Sequence, residues 1–86
     1  MSWHYLPVWV DHEHCVEFTL CEVYLDSEGR LKSWTEKPAM TPQGDDLDDL
    51  RAMLEQMLQD ANRWEPVRHA DLKVGMVLKK RSRGEA

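Results

Sequence analysis

The chain has 86 residues, 42% hydrophobic and 31% charged, with 16 Asp and Glu against 11 Lys and Arg for a formal net charge of −5. That length allows one domain with a single thin core, burying about 60–65% of the surface the unfolded chain exposes, and the composition is that of a folded soluble domain, not a disordered segment. Residues 1–10 carry no basic leader with a long apolar run, and no stretch approaches the roughly 18 apolar residues of a membrane span, so no membrane partner and a cytoplasmic location are expected.

In chain order, the first half is patterned as strands. Leu6, Val8 and Val10 alternate, while Pro7 lacks an amide proton and points to a sheet edge or a strand start. Trp3, Tyr5 and Trp9 alternate in the opposite phase, so both faces of this strand are apolar. Either a partner covers the second face, or the C-terminal arm of the same chain does. Asp11-His12-Glu13-His14 follows as a polar hairpin loop. The strongest β signal spans residues 16–25, with Val16, Phe18 and Leu20 in one phase and Cys21, Val23 and Leu25 in the other. One strand keeps both trios inward only through an extra residue, which predicts a β-bulge or sharp twist at Leu20-Cys21; the alternative is a strand covered on both faces. Cys15 and Cys21 are then roughly 20 Å apart along one strand, too far to bridge, and both are expected as reduced thiols. Asp26-Ser27-Glu28-Gly29 makes a turn with glycine in its left-handed position, and residues 31–36 return as a third strand carrying Trp34.

Pro42-Gln43-Gly44 ends the β-patterned half, and an acidic-capped amphipathic helix begins. Leu47, Leu50, Leu54, Met57, Ala61 and Trp64 repeat at spacings of three and four, one stripe that must face something apolar. Asp46 is the expected N-cap, Asp48 and Asp49 suit the positive end of the helix dipole, and Pro66 stops the helix after Trp64. Val74, Met76 and Leu78 then alternate as a short fourth strand or extended arm. The expected fold is α+β: a small antiparallel three-stranded meander, with a possible fourth C-terminal strand, packed on one amphipathic helix. The domain is placed at residues 1–78, and residues 79–86 are read as a basic, flexible tail.

Charge is unevenly spread. Through Pro66 there are 5 basic against 14 acidic residues, and from Val67 onward 6 against 2. An acidic body disfavours DNA and anionic membranes and suits a basic protein partner. Lys79-Lys80-Arg81-Ser82-Arg83 is the one segment suited to RNA or phosphate, and its simpler reading is a solvated terminus.

No residue constellation demands a particular chemistry. His12, His14 and Cys15 are the best metal-ligating cluster, since alternate residues of a strand point the same way, yet zinc-finger spacing is absent and no cofactor is expected. A cysteine nucleophile needs a neighbouring base, and His14 and Cys15 as strand neighbours point to opposite faces. There is no phosphate-cradling glycine loop, dinucleotide fingerprint or Ser-His-Asp arrangement, so catalysis is not expected.

Three runs carry a resemblance: Glu22-Val23-Tyr24-Leu25-Asp26-Ser27-Glu28-Gly29, Trp34-Thr35-Glu36-Lys37-Pro38 and Gly44-Asp45-Asp46-Leu47-Asp48-Asp49-Leu50. Together they resemble a group of short, uncharacterised bacterial proteins with an EVYYDEDG, WTExP, GExxEEL succession, over about residues 20–66. The resemblance implies a bacterial origin and a fold, without an activity. In that group a His commonly precedes the first run, where this chain has Cys21. The order hairpin, third strand, helix is also similar to that of HicB-like antitoxins, a likeness of topology.

Two functional expectations follow. The first is a non-enzymatic interaction module, a homodimer through the aromatic residues Trp3, Tyr5 and Trp9 or a free sheet edge. The alternative is an acidic inhibitor or antitoxin-like protein that presents Asp45, Asp46, Asp48 and Asp49 to a basic, nucleic-acid-binding surface of another protein.

Overall fold

The computed structural model describes residues 2–36 and 44–81. Lys37 and Pro38 of the second resembling run, Pro42 and Gln43 before the helix, and residues 82–86 of the expected tail lie outside the described residues. Strand β1 (Ser2–Asp11) turns back into β2 (Val16–Leu25), β3 (Leu31–Trp34) follows, and then come helix α1 (Leu47–Arg63) and a two-residue strand β4 (Val67–Arg68). A 3-10 turn at His69–Asp71 leads into an extended arm. The sheet order is β3-β2-β1-β4, with β1–β2 and β2–β3 antiparallel and β1–β4 parallel. The fold is α+β as expected, but the sheet is mixed, because its fourth strand is Val67–Arg68 and not the Val74 to Leu78 alternation.

Pro7 sits inside β1, an interior strand of the sheet, rather than at an edge. The geometry explains its tolerance. The Tyr5 N–H points away from β2, donating to the Asp60 carboxylate at 3.0 Å, and amides two residues apart point the same way, so Pro7 withholds no donor from the β1–β2 ladder.

The expected bulge at Leu20-Cys21 does not form. The β1–β2 register is continuous from Ser2 opposite Leu25 to Asp11 opposite Val16, so side chains simply alternate, and Cys21 and Val23 go into the core while Val16 and Phe18 stay outside. The register irregularity occurs between β2 and β3, at Tyr24/Leu25. The turn that follows matches its sequence signal. Gly29 has φ +80°, its N–H donates to the Asp26 carbonyl, and the Asp26 carboxylate accepts from the N–H groups of Glu28 and Arg30.

Helix α1 is capped as its sequence implies: Asp46 is extended, and its side chain accepts from the Asp49 N–H at 2.8 Å. Its roll about its own axis differs from the expected stripe. Met57, Asp60 and the C-cap residue Trp64 are buried, whereas Leu47 and Leu54 are exposed. At about 100° per residue this is a rotation of roughly 60° away from the apolar stripe. Its physical cause is Asp60, 4% exposed, whose hydrogen bond to the Tyr5 amide ties that flank of the helix to β1.

The core lies on the Leu6 and Val8 side of the sheet. Leu6, Val8, Cys21, Val23, Leu25 and Leu31 pack with Trp64, Leu72 and Leu78. No residue of α1 belongs to that cluster, so the arm, and not the helix, covers the face marked by the Leu6, Val8 and Val10 alternation. The arm also bonds along β3: the Leu31 N–H donates to the Met76 carbonyl and the Gly75 N–H to the Leu31 carbonyl. Further on, the Glu65 N–H donates to the Lys79 carbonyl and the Arg81 N–H to the Arg63 carbonyl. Lys79, Lys80 and Arg81, the first residues of the expected tail, are therefore main-chain-paired against the end of the helix. The sheet curls, and the arm joins its β3 side to the segment entering β4.

Candidate interaction surfaces

The face of the β1–β2 hairpin opposite the core carries Trp3, Tyr5, Pro7 and Trp9 from β1 and Val16, Phe18, Leu20 and Tyr24 from β2. Cross-strand register sets Trp3 against Tyr24, Pro7 against Leu20 and Trp9 against Phe18. The Trp9 and Phe18 rings stand 6.1 Å apart, and Trp3 meets Tyr5 edge-on at 5.2 Å. Of the three expected contact residues, Trp3 is exposed, Trp9 is half-buried, and Tyr5 is only 3% exposed. Tyr5 is thus a structural residue, its phenol pushed above the usual pKa by burial and then by the Glu22 and Asp60 carboxylates.

Phe18 is the residue that the sequence pattern misassigned. It is 68% exposed, although its alternation with Val16 and Leu20 marked it for the core. Val16 lies on the same outer face two residues before it, and the exposed Trp3 and Tyr24 stand at the far end of that face, beyond Glu22 opposite Tyr5. The available signal was positional: Phe18 is out of phase with Cys21, Val23 and Leu25, so an unbroken strand cannot bury both sets against one core.

The Asp11 to Cys15 loop does not gather its donors. His12 Nε2 lies 3.0 Å from Glu17 Oε1, His14 Nε2 lies 3.6 Å from Glu13 Oε1, and Cys15 is exposed. Among the described residues no group of three or more His, Cys, Asp and Glu is arranged to hold a metal ion. Cys21 is buried, its thiol donating to the Thr35 carbonyl at 3.3 Å, and burial raises its pKa. Such a thiol is unreactive in the native fold.

At the start of the helix Asp45, Asp46, Asp48 and Asp49 are all exposed. Asp46 is committed to the cap, and Asp48 stands 3.8 Å from Arg51 one turn on. At the other end a groove is lined by Gln59, Asn62, Arg63, Lys80 and Arg81, with no carboxylate among them. Sequence reading missed this cluster because Arg63 and Arg81 are brought together only by the pairing of the arm.

The most polar buried feature is Asp60. It borders a groove with Trp3, His4, Gln56 and Arg63, and its second oxygen lies 3.8 Å from His4 Nδ1. His4 in turn stacks obliquely on Trp64, ring centroids 5.3 Å apart. Among the described residues no serine, threonine or cysteine lines this groove, and Asp60 serves the junction of helix and sheet. Among the described residues no helix is long and apolar enough to cross a membrane.

Searches against protein-family models, curated proteins and solved structures found no match to this chain.

Proposed function

We propose that this chain is a non-enzymatic protein-interaction module that self-associates through the outer face of its β1–β2 hairpin. The observation that supports this reading is the exposure of Phe18, beside Trp9 and on the same face as the exposed Val16, Trp3 and Tyr24. The core is complete without these side chains, so folding does not account for their apolar character, whereas burial against a like surface does. A long two-stranded ladder is also a preorganised platform, which keeps the ordering cost of docking low. The resemblance to short bacterial proteins enters this proposal as an origin and a fold and brings no activity with it. A cytoplasmic setting, in which both thiols stay reduced, belongs to the same proposal.

The test is mass in solution by sedimentation or light scattering. Phe18→Ser and Trp9→Ser are expected to shift the assembly toward monomer, with Phe18→Ser leaving the melting temperature nearly unchanged because the side chain is exposed in the monomer. An unchanged mass in both variants refutes the reading. The acidic-inhibitor reading has narrower support, in the exposed Asp45, Asp48 and Asp49 beside a capping Asp46. Salt separates the two, since charge-steered association weakens steeply with ionic strength and aromatic docking barely responds.

A further inference from the structure

We propose a second self-contact on this chain: a second copy docks antiparallel along α1, with the leucine ridge as its seam and opposite charges at its two ends. The contact uses none of the hairpin residues, so it stands or falls independently of the function proposed above.

Three observations converge on it. First, the roll imposed by Asp60 leaves Leu47, Leu54 and Leu58 outside, Leu58 at 62% exposed. At about 100° per residue these three side chains lie within a 40° arc, a straight apolar ridge along the helix. Second, the ends of that ridge carry opposite charge. Asp45, Asp46, Asp48 and Asp49 stand at its start, and the groove of Arg63, Lys80 and Arg81, in which no carboxylate occurs among the described lining residues, stands at its finish. Third, the basic end is built and registered. The Arg81 N–H donates to the Arg63 carbonyl at 2.7 Å, and the Arg81 guanidinium donates to Asn62 Oδ1 at 3.3 Å, which places it one turn beyond Leu58 on the same side of the helix.

A two-fold axis beside Leu54 satisfies all three at once. Leu54 meets its own counterpart, Leu58 meets the apolar stem of Arg51 from the second copy, and Leu47 meets the Asn62 and Arg81 end. Asp48 and Asn62 lie on the same flank of the ridge, and a perpendicular two-fold brings equal flanks face to face. The acidic start of each helix therefore lies against the basic groove of the other, twice per dimer. A parallel pair would oppose like charges at both ends, so the charge layout selects the antiparallel arrangement. The occupant of the ridge is in this way specified as a second copy of the chain. If the hairpin contact also forms, its two-fold axis is distinct, and assembly continues beyond the dimer.

The experiment is cysteine cross-linking in a Cys15→Ser background, which removes the exposed native thiol, combined with sedimentation of the full chain from roughly 10 to 500 µM, a range that spans weak self-association. Leu54→Cys is expected to cross-link with itself at least about tenfold faster than Ser27→Cys, an exposed turn position, a ratio that corresponds to about 1.4 kcal/mol. Arg81→Glu is expected to slow that cross-linking severalfold at low salt, and adding Asp48→Arg is expected to restore it, a rescue that a merely structural role for either residue does not give. Phe18→Cys reports the hairpin contact separately. Cross-linking at position 18 alone overturns the helix pairing and leaves the hairpin reading standing. Cross-linking at position 54 alone does the reverse. A monomer at every concentration overturns both.

Discussion

Replacing Asp60 with alanine is the perturbation whose cost is best defined by the structure. The carboxylate is 4% exposed, and it accepts the Tyr5 N–H at 3.0 Å. Removing it deletes one charge-assisted hydrogen bond, worth about 1.5–3 kcal/mol, and strands a main-chain donor under the helix, where an unsatisfied group costs about 1–3 kcal/mol. Releasing a buried charge returns part of that, and water entering from the adjoining groove returns more, so the net loss is set at about 2–3 kcal/mol. For a domain of this size each kcal/mol moves the melting temperature by about 4–8 °C, which predicts a drop on the order of 10–20 °C. Asp60→Asn keeps an acceptor for the Tyr5 amide and is expected to lose about 1 kcal/mol or less. The assay is denaturant unfolding of the three proteins, with amide hydrogen exchange at Tyr5 as the local readout. Wild-type-like stability in Asp60→Ala, or a Tyr5 amide as protected as before, refutes the reasoning. An equal loss in the alanine and asparagine variants also refutes it, because the loss would then come from charge and not from the acceptor.

Three further outcomes are expected. Gly29→Ala places a side chain at φ +80°, where nothing else is within 4 Å, so the loss is the backbone strain of about 1–2 kcal/mol, checked by thermal melting. A thiol reagent is expected to titrate one cysteine in the native protein, Cys15, and two in denaturant, because Cys21 is buried with its pKa raised by that burial; two fast native thiols would contradict the core assignment. The Asp26 carboxyl is held below its ordinary pKa, first by the Arg30 N–H and then, against some desolvation, by the Glu28 N–H. A lowered folded pKa contributes stability above the unfolded value of a carboxyl, about pH 4, and loses it as pH falls through the folded value. Asp26→Ala is therefore expected to flatten the acid limb of the stability curve, and an unaltered limb would refute the assignment.

Much of the fold is legible locally. The Asp46 cap, the helix that it starts and the Gly29 turn are decided by neighbours within a few positions, and the structure has each where the sequence puts it. The alternation of Cys21, Val23 and Leu25 marked one of the two apolar faces of β2, and it is the one that the structure buries. The candidate surface was less legible. Trp3 and Trp9 were marked by phase, but Tyr5 is enclosed and Phe18 is not, and period-two patterning cannot say which of two apolar faces will be covered. Pro7 illustrates the same limit: its tolerance in an interior strand depends on Tyr5 pointing its amide at Asp60, 55 residues away.

By itself the sequence determined the first three strands, the Gly29 turn and the helix, because those choices rest on short-range periodicity, capping and φ preferences carried by the residues themselves, whereas the two-residue strand Val67–Arg68 exists only through its pairing with β1. Only the tertiary structure decided which faces are buried. The arm takes the Leu6 and Val8 face, the Asp60 hydrogen bond rolls the helix so that Leu47, Leu54 and Leu58 turn outward, and the pairing of Arg81 with Arg63 gathers the basic groove. Each of these outcomes is a competition between distant segments for the same apolar surface or the same backbone amide, and it is settled by the free energy of the whole packed arrangement, not by the pattern of any one segment.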